Sequence, residues 1–156
     1  MTQTRSQDSN ALHAVVRDPG LDDREFQMLA EFRFALRRYL RFSEIEAEKA
    51  GLTAQQYQAL LAVRANAAIG EMTISELARQ LLVKHHSAVG LVDRLVGQEL
   101  LERAAASDSR RKVALRLTAK GKRVLNGLAS THRQELRDAS HELARVLQRM
   151  SRVMPH

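Results

Sequence analysis

The stretch TISELARQLLVKHHSAVGLVDRLVGQELLERAAASDSRRKVALRLT, residues 73–118, decides the fold. It opens with Thr73-Ile74-Ser75-Glu76, a capping box in which the Thr73 hydroxyl can accept from the Glu76 amide while the Glu76 side chain reaches back to the amide of Thr73. A short helix through Gln80 is predicted. After Leu81-Leu82-Val83-Lys84, the spacing of Ala88, Leu91, Val92 and Leu95 predicts a second helix with one narrow apolar face. His85, His86, Ser87, Gly90 and Arg94 then fall on or near its exposed side. Strand-like residues run from Leu100 toward Ala106, and the polar turn Ser107-Asp108-Ser109-Arg110 follows. Val113, Leu115 and Leu117 next alternate with Lys112, Ala114 and Arg116. The stretch therefore reads as two short helices meeting through a tight turn, then a β-hairpin with a basic tip at Arg110, Arg111 and Lys112.

Longer helices flank this unit. Upstream, from Leu21 to about Glu48, Phe26, Leu29, Ala30, Phe32, Ala35, Leu36, Tyr39 and Leu40 recur near helical spacing. Gly51-Leu52-Thr53 breaks that helix, and Thr53 can cap another whose Tyr57, Leu60, Leu61 and Ala68 mark a buried stripe ending near Ile69-Gly70. Downstream, Thr118 can cap a helix carrying Val124, Leu125, Leu128 and Leu136, and a last segment from about Ser140 carries Leu143, Val146, Leu147 and Met150. The terminal stripes are larger than one small lobe needs. They are expected to pack around one another and to hold a homodimer. The first twenty residues, closed by Asp18-Pro19-Gly20, are polar and poorly periodic, so they read as a flexible arm.

Composition narrows the function. With 44% apolar and 28% charged residues, 4% aromatics and two prolines, the 156 residues suit one helix-rich domain. The lack of cysteine excludes disulfides, thiolate metal sites and cysteine-based redox sensing. No apolar run approaches membrane-span length and the start is polar, so a cytoplasmic protein without membrane contact is expected. The net charge of +7 is unevenly placed. Residues 75–125 hold 11 Lys/Arg against 5 Asp/Glu, while residues 1–74 hold 9 against 10 and residues 126–156 hold 5 against 3. A cationic excess concentrated in the helix-turn and hairpin region is the footprint expected of a phosphate-binding surface.

The order and spacing of these pieces resemble the MarR family of bacterial winged helix-turn-helix regulators over nearly the whole chain after the arm. The residues that carry the resemblance are Leu52-Thr53, Gln56-Tyr57, Ile74-Ser75-Glu76-Leu77-Ala78, Leu91-Val92-Asp93-Arg94-Leu95, Leu100-Leu101-Glu102-Arg103, Arg110-Arg111 and Leu117-Thr118-Ala119-Lys120-Gly121. Where that family often has glycine after the second short helix this chain has Glu99, which takes a left-handed backbone less cheaply, so Gly97 is expected to end the helix. Leu82 and Lys84 also stand where a small residue and a Ser or Thr cap are usual. The expected fold is mainly α with a small β-hairpin wing and terminal dimerisation helices. An arm at 1–20 would precede a single domain at 21–156, in which 21–50 and 119–156 dimerise and 53–118 form the DNA-binding lobe.

The function expected is a sequence-specific regulator on double-stranded operator DNA, read by Ser75, Lys84, His85, His86, Ser87, Gly90 and Arg94, with Arg110, Arg111 and Lys112 on phosphates or a flanking minor groove. The resemblance further implies repression released by a small, often aromatic, anionic effector in a crevice between the DNA-binding lobe and the dimerisation helices. Phe32, Phe34, Arg37, Arg38 and Tyr57 are the candidate residues for it, although aromatics at helical spacing are more often plain core. His85 and His86 diverge as neighbours on a helix and lack companions at ligand spacing, so no metal is expected. No Gly-rich phosphate loop, cysteine nucleophile or paired-carboxylate constellation points to catalysis or a cofactor. Two rivals stand beside this reading: a ligand-blind DNA-binding protein, and a helical module that binds proteins through its apolar stripes.

Overall fold

A computed structural model describes residues 20–106 and 109–153, with residues 109–112 described by their backbone alone. The arm expected before Gly20 and the turn residues Ser107 and Asp108 lie outside the described residues. Among the described residues, five helices and three strands follow in the order α1 (Asp23–Lys49), α2 (Ala54–Asn66), β1 (Met72–Thr73), α3 (Ile74–Gln80), α4 (His85–Gly97), β2 (Leu101–Ala106), β3 (Ser109–Leu117) and α5 (Ala119–Val153). The fold is mainly helical with a small wing. Two compact units divide the chain, one spanning residues 38–138 and one formed by the stretches up to Arg37 and from Ala139 onward.

Local chemistry sets the boundaries in the larger unit. Thr73 begins α3 with a complete capping box: its amide donates to Glu76 Oε2 at 2.8 Å and its hydroxyl accepts from the Glu76 amide at 3.3 Å. Thr53 begins α2 the same way with Gln56. Thr118 begins α5 by accepting from the Gly121 amide at 2.9 Å. Each cap satisfies amides that the first turn leaves without partners.

Three helix ends share one geometry. The amides of Leu52, Val83 and Leu100 donate to the carbonyls of Ala47, Ala78 and Leu95 at 2.9, 3.0 and 2.9 Å. The residues just before them, Gly51, Leu82 and Glu99, donate to Glu48, Arg79 and Val96 at 2.9, 3.3 and 2.9 Å. This paired closure places the residue after the cap in the left-handed region, and φ is +76° at Gly51, +54° at Leu82 and +59° at Glu99. Glycine adopts it freely, whereas a side chain there costs roughly 1 kcal/mol. Gly97 is only the last helical residue, with no left-handed φ; against expectation the stop comes at the Gln98 cap and the left-handed Glu99. The buried leucines Leu95 and Leu100 on either side of the turn, and the Thr118 hydroxyl donating to the Glu99 carbonyl at 2.6 Å, hold it there.

The core of this unit gathers Ala47, Tyr57, Leu60, Val63, Met72, Leu77, Leu91, Val92, Leu95, Leu101, Leu115, Leu125 and Leu128. The apolar face expected of α4 is buried at all four positions, Ala88, Leu91, Val92 and Leu95. The stripe expected of α2 is corrected: Leu61 and Ala68 are exposed, the helix stops at Asn66, and Gln56, Tyr57, Ala59, Leu60 and Val63 face inward. The hairpin gains a third strand, because β1 pairs antiparallel with β3 through Met72–Leu115 and Thr73–Ala114, giving the order β1-β3-β2. That pairing helps cover Ala114, which is buried, while Val113 is exposed, the reverse of the expected alternation at those two positions. The turn is also shorter than expected, since Ser109 and Arg110 already belong to β3. Finally, α5 runs unbroken from Ala119 to Val153, so no new segment starts at Ser140. Nothing around Ser140 is a helix breaker.

Candidate nucleic-acid interface

The helix α4 is anchored by its four buried apolar residues, which fixes what its other side presents. His85, His86 and Ser87 in the leading turn are exposed, as are Lys84 at the N-cap and Arg94 one face along. Lys84 has no acceptor for the first-turn amides and so supplies no side-chain cap. Ser75, at the start of α3, places its Oγ 3.4 Å from His85 Nδ1, a long contact that brings the heads of the two helices together. A Cβ at Gly90 would lie 3.7 Å from Arg94 Nη1, so the guanidinium lies over the bare glycine. The structure thus brings together Ser75, Lys84, His85, His86 and Ser87, with Gly90 and Arg94 further along the same helix.

Ion pairing sorts the cations of this region. Arg103 on β2 donates to Asp93 on α4 at 2.7 Å, tying the helix to the wing. Arg116 on β3 donates to Glu71 at 2.7 Å, and Lys120 donates to the Gln98 carbonyl at 2.8 Å and faces Glu99 at 3.6 Å. These three are engaged in holding the lobe. Arg79, Lys84 and Arg94 carry no ion pair among the described residues, and all three are exposed. These three add uncompensated charge to the helix-turn-helix, as Arg64, Lys122 and Arg123 do elsewhere in the lobe, and the helix dipole of α4 adds positive potential at its leading end. Among the described residues no cluster of three His, Cys, Asp or Glu side chains could hold a metal, and no helix is long and apolar enough to cross a membrane.

Arg110, Arg111 and Lys112 occupy the first half of β3 rather than a turn. Ala106 pairs with Ser109 and Ala105 with Val113, so one step along β2 spans four along β3 and these three residues form an irregular bulge. The five candidate effector residues are distributed over both units. Phe32, Phe34 and Arg37 belong to the terminal unit, where Phe34 lines a cavity of about 470 Å³ with Glu31, Glu142, Arg145, Arg149 and Arg152. Arg149 and Glu31 form an ion pair there. Arg38 and Tyr57 belong to the larger unit.

Sequence reading missed two buried polar groups. His132 on α5, only 4% exposed, stacks on Tyr57 with ring centroids 4.8 Å apart and meets Phe42 edge-on at 5.5 Å. Its Nδ1 donates to the Leu128 carbonyl at 2.7 Å and its Nε2 lies 3.1 Å from Ser43 Oγ, so one side chain ties α5, α1 and α2. Burial, and secondarily Tyr39, pushes the Tyr57 hydroxyl above its ordinary pKa. Gln56 donates to Gln98 at 3.1 Å, linking the start of α2 to the C-cap of α4. The Gln56 signal was available as the fourth residue of a Thr-x-x-Gln capping box; a lone histidine in a polar helix offers none.

Comparison with known proteins agrees with this geometry. The MarR family's sequence model matches residues 50–112. An uncharacterized HTH-type transcriptional regulator of Bacillus subtilis, YsmB, is 31% identical over 70 residues, 45% of this chain and 48% of that protein. The chain thus spans about half the length of the curated relative it matches. Among solved structures, AbsC, a MarR family transcriptional regulator from Streptomyces coelicolor, superposes with a TM-score of 0.69 at 20% identity, covering 88% of this chain and 94% of that one. A mutant MarR from E. coli complexed with operator DNA gives 0.62 at 22% identity, covering 79% and 90%.

Proposed function

We propose that this chain, a member of the MarR family through residues 50–112, is a sequence-specific DNA-binding regulator of transcription that acts as a homodimer. The observation that carries the reading is the leading turn of α4: an exposed polar cluster on a helix held by a buried apolar face, with the exposed cations Arg79, Lys84 and Arg94 on the same helix-turn-helix. Only the major groove both admits a helix and displays a distinguishing set of donors and acceptors. An imidazole at His85 or His86 and the Ser87 hydroxyl have the donors and acceptors to meet base edges, while Lys84, Arg94 and Ser75 have the chemistry of phosphate contacts. Arg110, Arg111 and Lys112 carry the wing's share on phosphates or the adjacent minor groove. Repression, relieved by a small anionic aromatic effector, is the regulatory mode proposed on the family resemblance.

Selecting bound duplexes from a random library with the full chain tests the reading directly. A pseudo-palindrome with half-site centres about one helical turn, roughly 34–36 Å, apart is expected. Failure to enrich any sequence, together with no salt-dependent retention on DNA or heparin, would leave the protein-binding module as the better account. On the selected site, His86→Ala or Ser87→Ala should cost on the order of 1–3 kcal/mol and much less on random DNA. Equal losses on both would make these residues positioning contacts. Arg111→Ala should instead weaken all duplexes alike and make the logarithmic salt slope shallower by about one unit, one phosphate contact being lost. An unchanged slope removes Arg111 from the interface.

A further inference from the structure

The three matching helix ends differ in what stands at the left-handed position and in what that residue does. Gly51 occupies it without strain. Glu99 is strained, but its carboxylate faces Lys120 and its carbonyl accepts from Thr118. Leu82 is strained and its side chain meets almost nothing, being 92% exposed. Its two backbone hydrogen bonds, to Arg79 and from Val83 to Ala78, do not involve the side chain and would be kept by glycine. Among the described residues the leucine side chain adds strain and exposed apolar surface with no compensating contact. An outlier of this kind points to a contact made outside the chain.

The surroundings define the partner. Arg79 and Lys84 flank Leu82, both exposed and without an ion pair among the described residues. His85, which opens the leading turn of α4, is three residues away, at most about 10 Å of chain. An apolar group framed by cations fits a polyanion that also carries apolar groups, and the apolar group displayed in the major groove is the C5-methyl of thymine. We propose that Leu82 is a specificity-determining DNA contact whose side chain seats on a thymine methyl at the edge of each half-site. The assignment rests on the DNA-binding reading above and adds a position that lies outside the recognition helix.

The test uses full-length wild type, Leu82→Gly and Glu99→Gly. Each selects duplexes from a random library, and each is titrated on the wild-type site with thymine or uracil at the enriched positions. Leu82→Gly should raise the thermal midpoint by about 2–4 °C through relief of strain. It should also weaken the wild-type site by roughly three- to tenfold, the loss of one or two buried methyl groups. Its selected sites should lose the thymine preference at one position per half-site. Uracil there should weaken wild type by a similar factor and leave Leu82→Gly unaffected. Glu99→Gly should gain stability and keep both affinity and preference, which separates strain from contact. Undiminished binding by Leu82→Gly overturns the proposal, as does equal loss on selected and random duplexes or indifference of wild type to uracil. If wild type enriches no sequence, the DNA-binding reading itself falls and this assignment falls with it.

Discussion

Gly121→Ala should destabilise the protein by about 2–4 kcal/mol, more than any surface substitution in the DNA-binding lobe. Gly121 lies in the first turn of α5, where its amide donates to Thr118 Oγ1 at 2.9 Å. That same hydroxyl donates to the Glu99 carbonyl, and the Thr118 amide donates to the Leu100 carbonyl at 3.2 Å. The start of α5 is thereby seated on the turn that ends α4. A Cβ at position 121 would stand 2.1 Å from the Leu100 oxygen, 3.0 Å from its carbonyl carbon and 3.2 Å from Leu117 Cδ2. Backbone cannot swing aside as a flexible side chain can, so the helix must retreat. Retreat breaks the Thr118 cap, worth about 1 kcal/mol, and opens the core where Leu100, Leu117, Leu125 and Leu128 meet. Gly127→Ala is the control: a Cβ there meets nothing within 4 Å, and helix propensity alone should stabilise by about 0.5–1 kcal/mol. Urea denaturation of both variants checks the pair. A Gly121→Ala midpoint at or above that of wild type contradicts the close seating of α5.

The parts of this structure that were legible in the sequence are those whose physics is local. Thr73 and Glu76 announce a helix start because both halves of the box lie within four residues. The face of α4 was readable because Ala88, Leu91, Val92 and Leu95 are buried by one stripe with no competing contact. What failed depended on partners distant in sequence. Ala114 is buried partly because β1 pairs beside it, and a two-residue strand such as Met72–Thr73 has no periodicity to read. Leu61 lies on the side of α2 opposite the core, which only the packing of β3, α3 and α4 decides. Glu99 turns left-handed against its own preference because Leu95, Leu100 and Thr118 outweigh roughly 1 kcal/mol of strain. The candidate site follows the same division. The exposed residues of α4 were identifiable from its periodicity, while the pairings of Asp93 with Arg103 and Glu71 with Arg116, which decide which cations remain uncompensated, span 10 and 45 residues.

Removing residues 140–156 should abolish dimer formation and lower affinity for a two-half-site operator by about a hundredfold or more. The terminal unit leaves Phe26 and Phe34 each 58% exposed and Leu147 50% exposed, and Leu36 is also open. Apolar side chains gathered on two helices in this way would favour association in water, and a second copy of the same chain supplies a matching face through two-fold symmetry. Dimerisation then converts the second half-site contact into an intramolecular event, so losing it removes the effective-concentration gain without touching α4. Because truncation cuts a continuous helix, Leu147→Glu and Phe26→Glu provide the gentler version: a buried interface charge is costly, whereas the same charge on a monomer's surface is not. Sedimentation equilibrium should show wild type as a dimer and both point variants as monomers. Titration on duplexes carrying one and two half-sites should show the variants losing the advantage of the second site while keeping wild-type affinity for the first. A wild-type monomer at concentrations that saturate a single half-site would end the dimer reading. Point variants that remain dimeric would instead move the interface away from these side chains.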